Sequence, residues 1–307
     1  MRYIFIVNPA AGKKNRSGEV AWQVAEAAKK AKVEYEVLVT SGPRHACELV
    51  KEARQKFEGH LRFVACGGDG TLKEVADGVS SIEDASIGHY PCGTGNDYIR
   101  MFGDPAYFSD LDAVFDTVDY PVDYIDSNRG AALNILSVGM DARIAHGMQK
   151  YKRLPLVKGQ GSYNISLVEN LLRGIGKDFL VTIDGKNYDG KYTIILVANG
   201  KFYGGGYNPV PEADITDETL DILLIKSLNC LQVATVISKY KQGRYSEVPQ
   251  YVTHLTARSA ELRSHDGKPM IVNLDGETSE YESVSLKVSD KKLVFAMPRK
   301  AYDALKK

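Results

Sequence analysis

Residues 61–71 read LRFVACGGDGT, a run of apolar residues that leads directly into a turn with three glycines. The apolar run predicts a buried β-strand, and Leu72, Val75, Ala76 and Val79 recur after the turn at the spacing of a short helix. Glycines lose more backbone entropy on folding than other residues, so three of them between a strand and a helix need a physical reason. A close approach of the backbone to a ligand is one such reason.

The single acidic residue of this turn, Asp69, indicates which ligand is involved. An aspartate beside a polyphosphate would repel it unless Mg²⁺ lay between them, and carboxylates together with substrate phosphates are the usual ligands of Mg²⁺. The alternative is a plain strand-to-helix turn in which Thr71 or Asp69 caps the helix.

Two further segments repeat this pattern of a strand followed by a turn of small residues. The strand-like run at 86–90 leads into PCGTGND at 91–97, and the run at 3–7 leads into NPAAG at 8–12. Small residues let backbone N–H groups approach a phosphate. Because ligands of open α/β sheets bind at the carboxyl ends of the strands, we expect the two glycine-rich turns, at 67–71 and 93–97, to form one site. Taken singly, each also fits an ordinary turn or a capped helix start.

The pattern of the chain changes near residue 128. Before it, strand-like and helical runs alternate, which is typical of a mostly parallel sheet covered by helices. After it, many short β runs follow, of which 131–138 is predicted to be one strand. They are separated by Asp-Gly pairs that favour hairpin turns, at 184–185, 189–190, 266–267 and 275–276.

We therefore predict an α/β protein of two domains. The first is an open, mostly parallel sheet with helices on both faces, formed by residues 1–127 and completed by about 295–307. The second, at 128–294, is a β-rich, sandwich-like domain.

The composition indicates which binding partners and which cellular compartment to expect. Lys plus Arg and Asp plus Glu both total 39, so no bulk attraction to nucleic acid is expected. The four widely spaced cysteines favour reduced thiols in a cytoplasmic protein. No run approaches the roughly 18 apolar residues of a membrane-spanning helix. The chain contains no GxxxxGK[ST], complete GxGxxG, HExxH or GxSxG motif.

The three turns, in this order and spacing, resemble the diacylglycerol kinase catalytic domain, specifically its soluble bacterial branch. Sphingosine kinases, ceramide kinases and, more distantly, NAD kinases share the nucleotide-binding half. YGGG at 203–206 looks like the family's glycine-rich segment, and LDGE at 274–277 looks like its late catalytic motif. The resemblance covers nearly the whole chain. It implies Mg²⁺-dependent transfer of the γ-phosphate of ATP to a lipid hydroxyl. Diacylglycerol is the expected acceptor because it is the substrate for which the family is named.

The resemblance also implies roles for individual residues. Asp69 would act through Mg²⁺ and the nucleotide phosphates, and Glu277 would be the general base that accepts the proton of the attacking hydroxyl. A solvated hairpin glutamate is the alternative for Glu277. The ATP contacts that the family implies are Asn8, Pro9, Ala10, Ala11, Gly12, Thr40, Gly67, Gly68, Asp69, Gly70, Thr71, Leu72, Lys73, Thr94, Gly95, Asn96 and Asp97.

A structural Mg²⁺ site is implied in the second domain. Asp214, Asp217 and the carbonyl oxygen of Thr219 match positions that hold this ion in the bacterial branch, and all three are hard oxygen ligands. The family usually has glycine after the second aspartate, whereas this chain has Glu218. The loop geometry is therefore expected to differ.

The implied partner is a lipid at a membrane surface, with peripheral contact at the cytoplasmic face and pairing of two copies as in some relatives. Because the net charge is zero, such contact would need a local basic patch. Two other functions remain open, an NAD kinase and a nucleotide-sensing protein that has lost catalysis. Candidate residues for the patch are Lys150, Lys152, Arg153 and Lys158. The expected supporting charges near the cleft are Asp97, Asp123, Arg100 and Lys158, and a solvated surface face is the alternative for Arg100 and Lys158.

Overall fold

The computed structural model describes residues 1–12, 17–93, 95–151 and 175–306 of the chain. The chain forms two units, each with its own sheet. The first comprises Met1–Tyr124, Gly204–Gly206 and Asp290–Lys307, and the second comprises Ile125–Tyr203 and Tyr207–Ser289.

The first unit is built on a six-stranded sheet. Its elements are β1 (Arg2–Val7), α1 (Ser17–Ala31), β2 (Glu34–Val39), α2 (His45–Lys56), β3 (Leu61–Gly67), α3 (Asp69–Val79), β4 (Ala85–Pro91), β5 (Thr117–Val122) and, from the end of the chain, β18 (Leu293–Pro298) and α6 (Arg299–Leu305). The strand order is β2-β1-β3-β4-β18-β5, and only β5 runs antiparallel to its neighbour. The prediction of an open, mostly parallel sheet is confirmed.

Helices cover both faces of this sheet, so its strands are apolar on both faces. Phe5 of β1 packs with Val20 and Val24 of α1, whereas Ile4 and Ile6 alternate to the other face and are fully buried. The chain moves from β1 to β2 in one direction and from β2 through β3 to β4 in the other. Right-handed crossovers therefore carry α1 to one face and α2 and α3 to the other.

The second unit is built on a curled sheet of 12 strands. Its elements are β6 (Ile125–Ser127), β7 (Gly130–Ala132), β8 (Ile135–Gly139), α4 (Met140–Tyr151), β9 (Lys177–Ile183), β10 (Lys186–Asn187), β11 (Gly190–Ala198), β12 (Leu220–Lys226), α5 (Cys230–Lys241), β13 (Val252–Ala257), β14 (Ser259–Ser264), β15 (Met270–Leu274), β16 (Glu277–Tyr281) and β17 (Ser283–Val288). The main path is β16-β15-β8-β11-β9-β14-β17-β6-β7, with β10 on β9 and β12 between β11 and β13. The prediction of a β-rich second domain is confirmed.

Alternating side chains of this curled sheet form two cores. Ile195 and Val197 of β11 belong to the core enclosed by the sheet. Ile194 and Leu196 of the same strand point to the opposite face, where α4 and α5 cover them. None of the helices in the described part of the chain has the length and apolar content needed to cross a membrane.

One predicted strand of this unit is interrupted. The run at 131–138 was expected to be continuous, but β7 ends at Ala132 and β8 begins at Ile135. The N–H groups of Leu133, Asn134 and Ile135 donate to the carboxylate of Asp275 at 2.6–3.2 Å. These donors are therefore used by a distant side chain rather than by a neighbouring strand.

The Asp-Gly pairs do not all form the same turn. The pairs at 184–185 and 275–276 are two-residue hairpin loops with positive φ at both residues, as the sequence predicts. At 189–190 the prediction is wrong, because Gly190 begins β11 and the carboxylate of Asp189 accepts the N–H of Val181 at 2.7 Å.

Candidate active site

A cavity of about 560 Å³ opens at the carboxyl ends of β1, β2 and β3 in the first unit. Its volume lies within the range of small-molecule sites. The turns that follow β1, β3 and β4 all contribute to its wall and so meet at one edge of the sheet. The lining residues are Asn8, Pro9, Ala10, Ala11, Gly12, Thr40, Ser41, Gly42, Pro43, Ala46, Gly68, Asp69, Gly70, Thr71, Glu74, Gly93 and Gly95.

The first glycine turn connects the end of β3 to the start of α3. Gly67 ends the strand, and α3 begins two residues later at Asp69. A Cβ atom at Gly67 would lie 2.2 Å from Oγ1 of Thr71, so this position has no room for a side chain. The first turn of α3 lines the cavity. The N-terminus of a helix attracts anions such as phosphates.

The second glycine turn packs directly on the first. Cys92 and Gly93 both donate their N–H groups to the carbonyl oxygen of Gly67, at 2.8 and 3.3 Å. A Cβ atom at Gly93 would lie 2.5 Å from Cα of Gly68. The two turns therefore touch backbone to backbone, and glycine at both positions permits this contact.

The turn after β1 is tied to the same structure. Asn8 donates through Nδ2 to Oγ1 of Thr71 at 2.9 Å, and its Oδ1 accepts the N–H of Ala10 at 2.9 Å. Gly12 has a φ of 84°, and a Cβ atom there would lie 3.0 Å from the carbonyl oxygen of Cys92. Each turn is thus held by contacts to the others.

Part of the cavity wall was not predicted. Glu74 accepts the N–H groups of Arg44 and Ala46, at 2.8 and 3.1 Å, so its carboxylate caps the start of α2 beside the cavity. The segment from Ser41 follows β2, and the rule that ligands bind at the carboxyl ends of strands could have located it. The unpredicted lining residues are Ser41, Gly42, Pro43, Ala46 and Glu74.

Two carboxylates, Asp69 and Asp97, lie at the junction of the glycine turns. Oδ1 of Asp69 accepts the N–H of Tyr98 at 3.2 Å, and Oδ2 of Asp97 accepts the N–H of Gly205 at 2.7 Å. Burial raises the pKa of both carboxyl groups, and the charge of Asp69 raises the pKa of Asp97 further. A divalent cation such as Mg²⁺, which proteins usually bind through one or two carboxylates, would stabilise the charged form that burial disfavours.

Arg100 balances part of this negative charge. Its Nε lies 3.2 Å from Oδ1 of Asp97, and its Nη2 donates to the carbonyl oxygen of Gly95 at 3.2 Å. The prediction of a supporting charge thus corresponds to a real contact with the second glycine turn. Because Arg100 partly neutralises Asp97, Asp69 is the carboxylate left for a cation.

Leu72, Lys73 and Asn96 support the turns rather than line the cavity. Leu72 and Lys73 are buried within α3, where Nζ of Lys73 lies 3.9 Å from Asp77. Nδ2 of Asn96 donates to a carbonyl oxygen within the second glycine turn at 3.0 Å. Outside the described part of the chain lie Thr94, the side chain of Lys150, and Lys152, Arg153 and Lys158.

Asp123 lies away from the glycine turns. It follows the end of β5, which runs antiparallel to β18, and its carboxylate is 3.3 Å from Nζ of Lys292 at the start of β18. Because β18 is parallel to β4, this ion pair lies at the amino-terminal edge of the sheet. The expectation that Asp123 supports the site is therefore not met within the first unit.

Glu277, in the second unit, begins β16 directly after the hairpin turn that contains Asp275 and is half-buried. The carboxylate of Asp275 accepts the N–H groups of Leu133 and Ile135 at 2.6 and 2.7 Å. The first residue of the Asp-Gly-Glu motif is thus an anchor that fixes the hairpin end presenting Glu277. Sequence reasoning found the motif but not this anchoring role.

The predicted metal loop keeps a regular geometry despite Glu218. Oδ1 of Asp214 accepts the N–H of Thr216, and Oδ1 of Asp217 accepts the N–H of Thr219, each at 2.9 Å. Glu218 has a φ of 61°, the conformation that glycine adopts most readily. Among the described residues no group of three or more His, Cys, Asp or Glu side chains could hold a metal ion; this loop offers two carboxylates and a carbonyl.

The second unit also contains a mainly apolar cavity of about 300 Å³, lined by α4, α5 and β11. Part of its lining is polar, because Asp141 accepts hydrogen bonds from Ser137 at 2.7 Å and Tyr203 at 3.2 Å. The hydroxyl groups of Tyr203 and Tyr240 are 2.6 Å apart. Burial raises the pKa of Asp141 and, more strongly, that of Tyr203. The apolar lining residues are Met140, Ile144, Ile194, Val233 and Ile237.

Two family models match the chain in succession. The model described as diacylglycerol kinase catalytic domain matches residues 2–125, and the YegS C-terminal NAD kinase beta sandwich-like domain matches 134–296. A protein of Staphylococcus aureus strain N315, provisionally named a lipid kinase, is 27% identical over 244 residues, covering 79% of this chain and 78% of that protein. One from Staphylococcus epidermidis with the same provisional name is 25% identical over 247 residues, covering 80% and 79%.

Solved structures with the same fold come from two kinds of kinase. A Bacillus anthracis protein, provisionally described as a diacylglycerol kinase, superposes with a TM-score of 0.74 at 20% identity, covering 97% of this chain and 98% of that one. An NAD kinase from Archaeoglobus fulgidus, solved in complex with ATP, gives 0.52 at 15% identity, covering 99% and 97%. At these identities the likeness establishes the fold.

Proposed function

Because the chain belongs to the family of the YegS C-terminal NAD kinase beta sandwich-like domain, which matches residues 134–296, and its residues 2–125 match the diacylglycerol kinase catalytic domain, we propose that it is an ATP- and Mg²⁺-dependent lipid kinase. The proposed acceptor is diacylglycerol and the product is phosphatidic acid. The lipid oxygen forms a bond to the γ-phosphorus, and the bond from that phosphorus to the β–γ bridging oxygen breaks. ADP leaves, and the proton of the lipid hydroxyl passes to a base.

The observation that carries this proposal is the meeting of three small-residue turns, a helix N-terminus and the buried carboxylate of Asp69 around one cavity. Phosphoryl transfer requires mainly positioning and charge neutralisation. Backbone N–H groups at the start of α3 suit phosphate oxygens. A Cβ atom at Gly70 would meet no atom of the described residues within 4 Å, so the absence of a side chain there leaves room for the phosphates to approach the backbone.

Asp69 is the proposed ligand of Mg²⁺. Burial disfavours the charged form of Asp69. A bound cation would stabilise the ionised carboxylate, and the carboxylate would in turn hold the cation. When bound, Mg²⁺ neutralises charge on the β- and γ-phosphate oxygens. Asp97, already engaged by Arg100 and Gly205, ties the second turn to the segment at 204–206.

Glu277 is the proposed general base. The anchoring of its hairpin by Asp275 limits the movement of the strand end that carries it. A base held in place accepts the proton of the attacking hydroxyl more effectively than a mobile one, and such catalysis contributes about 10²- to 10⁴-fold.

For the lipid, we propose that the apolar cavity of the second unit receives part of an acyl chain. Its walls are branched and unbranched aliphatic side chains, which match a hydrocarbon chain. The hydrogen-bonded polar groups of Asp141, Ser137 and Tyr203 would limit how far the acyl chain enters the cavity. A lipid acceptor of this kind resides in a bilayer, so the enzyme would act as a peripheral protein at its cytoplasmic surface.

The test is transfer of labelled γ-phosphate from ATP to a panel of detergent-dispersed acceptors that includes diacylglycerol, monoacylglycerol, sphingosine, ceramide and NAD. We expect labelled phosphatidic acid from the wild type and about 10²-fold or more loss of kcat in Glu277→Gln. Glu280→Gln, an exposed change on the same strand, should act as wild type.

Other outcomes would redirect the proposal. Product on NAD alone would identify an NAD kinase. Binding of ATP without product on any acceptor would identify a nucleotide-sensing protein.

A further inference from the structure

His89 of β4 is a buried side chain that none of the roles above requires. It is 3% exposed, and its Nε2 lies 3.2 Å from the carbonyl oxygen of Gly67. Its Nδ1 is buried and has no hydrogen-bond partner among the described residues. A buried imidazole that leaves one nitrogen unpaired costs about 1–3 kcal/mol, so its retention at this point of the sheet needs an explanation.

The bonding of His89 fixes its chemical state. A carbonyl oxygen only accepts hydrogen bonds, so Nε2 must carry the proton and the ring is the neutral Nε2–H tautomer. A second proton on Nδ1 would place a charge in a buried site without an acceptor. Burial accordingly lowers the pKa of His89 to about 4. The donor is therefore present throughout the neutral pH range.

The acceptor of this bond is the junction of the two glycine turns. The carbonyl oxygen of Gly67 also accepts the N–H groups of Cys92 and Gly93, at 2.8 and 3.3 Å. Both of those donors belong to the second turn itself. His89 is the donor that lies within a strand, so it ties this carbonyl to a rigid element.

The direction of this carbonyl determines the direction of a donor at the cavity. The Gly67 carbonyl and the Gly68 N–H belong to one planar peptide unit and point in opposite directions. Gly68 lines the cavity, and its own carbonyl oxygen accepts the N–H groups of Thr71 and Leu72 at the start of α3. A rotation of the peptide at 67–68 would therefore displace both the first donor of the turn and the helix start.

We propose that His89 is a positioning residue for the nucleotide phosphates, acting through its Nε2–H bond to Gly67 to hold the first glycine turn in its phosphate-binding orientation. The inference rests on the proposed function, since it assumes that the cavity receives ATP. It assigns to His89 an effect on nucleotide affinity rather than on the chemical step.

The test compares His89→Gln, whose side-chain amide can still donate, with His89→Met, which has a similar volume and no donor. We expect His89→Met to raise the ATP dissociation constant and KM for ATP about tenfold, with kcat at saturating ATP within about threefold of wild type. His89→Gln should restore both constants to within about threefold. His60→Met, a change at the amino-terminal edge of the same sheet, should leave them unchanged.

A purely structural role for His89 would lower the melting temperature of both variants without changing the affinity of the folded protein for ATP. Equal affinities of His89→Met and wild type, or equal losses in His89→Met and His89→Gln, would overturn the proposal and leave the proposed function intact. Failure of the wild type itself to bind ATP would reject both.

A second measurement covers the case in which His89→Met does not fold. The ¹⁵N spectrum of the imidazole of His89 in the wild-type protein should show the neutral Nε2–H tautomer at pH 7. The Nδ1–H tautomer or a charged ring would remove the donor on which the proposal depends and so overturn it.

Discussion

The glycine-turn cavity of the first unit and the loop at 214–219 of the second both gather aspartates, in opposite surroundings. Asp69 and Asp97 accept N–H groups from residues far away in sequence, and burial raises their pKa. Asp214 and Asp217 are exposed and accept the N–H groups two residues further on. A buried aspartate that is contacted by several distant segments is thus a candidate functional residue. An exposed aspartate that accepts the N–H two residues further on stabilises a local turn.

Substitution of the buried Asp69 should have a larger effect than any other change considered below. Asp69→Asn should lower kcat for phosphoryl transfer about 10³-fold, or about 4 kcal/mol in the barrier, because the proposed cation loses its carboxylate. Its melting temperature should stay equal or rise, because burial already disfavours the charged group. Asp112→Asn, which breaks an exposed ion pair, is the control with unchanged kinetics. Retention of more than a tenth of the activity by Asp69→Asn would contradict this role.

The contact between the glycine turns should tolerate no side chain. Gly93→Ala places a Cβ atom 2.5 Å from Cα of Gly68, so unfolding in urea should show a loss of about 3 kcal/mol. Gly70→Ala is the matched control, since no atom of the described residues lies within 4 Å of its added Cβ and the position is inside α3. That change should leave stability unchanged or raise it by up to about 1 kcal/mol. Equal stabilities of the two variants would refute the backbone contact.

The buried histidine below the turns should make stability depend on pH. Its pKa is lowered from 6.5 in the unfolded chain to about 4, so below 6.5 the unfolded state binds the proton first. Stability should therefore fall as pH falls from about 6.5 to 4, with a loss of about 2 kcal/mol at pH 5.

His89→Gln isolates this contribution, because the carboxyl groups with raised pKa act in the opposite direction in both proteins and cancel in the difference. Urea unfolding at pH 7 and pH 5 measures it. A wild type and variant that lose the same stability between these pH values would show that His89 is not buried in its neutral form.

Addition of Mg²⁺ should stabilise the protein through the exposed loop at 214–219. If Asp214, Asp217 and Thr219 hold Mg²⁺, a tenfold excess over the dissociation constant should stabilise the wild type by about 1.4 kcal/mol. Asp69→Asn should keep this increase in melting temperature, and Asp217→Asn should lose it. An increase that survives Asp217→Asn and disappears in Asp69→Asn would reverse the assignment of the two regions.

The smallest effect concerns the residue between the loop aspartates. Glu218→Gly relieves the left-handed backbone at φ 61° and should raise stability by about 0.5–1 kcal/mol. The exposed ion pair with Arg258, at 3.6 Å, contributes little against this. Glu261→Gly, an exposed change within β14, should instead lower stability by a similar amount. A loss in both variants would show that Glu218 is not strained.

The first unit was predictable because its signals are local. Each strand is a short apolar run, and each site turn follows a strand end directly, so the meeting of the two glycine turns followed from parallel topology, whereas the place of the segment at 8–12 followed from the family resemblance. Glycines at 67, 68 and 93 indicated that the backbone lies close to another group. The sequence did not show that for each turn this group is the backbone of the other turn.

What the sequence could not predict depends on contacts between distant residues. Asp275 takes N–H groups about 140 positions away and so interrupts the strand expected at 131–138. Glu74 caps a helix 28 positions earlier through Ala46. His89 reaches back 22 positions to Gly67 from an unremarkable strand. Nothing in the local pattern of Glu74 and His89 distinguishes them from ordinary surface or strand residues, and the motif that contains Asp275 does not reveal its distant partners.

The cavity at the ends of β1, β2 and β3 is proposed to receive the phosphates of ATP. Glycine-selective ¹⁵N labelling tests it directly, because the chain has 28 glycines and several line the cavity. On addition of ATP and Mg²⁺, the signals of Gly12, Gly68 and Gly70 should shift, while those of Gly185 and Gly267 in the second unit stay in place. Shifts confined to the second unit, or no shift at saturating ATP, would contradict the claim.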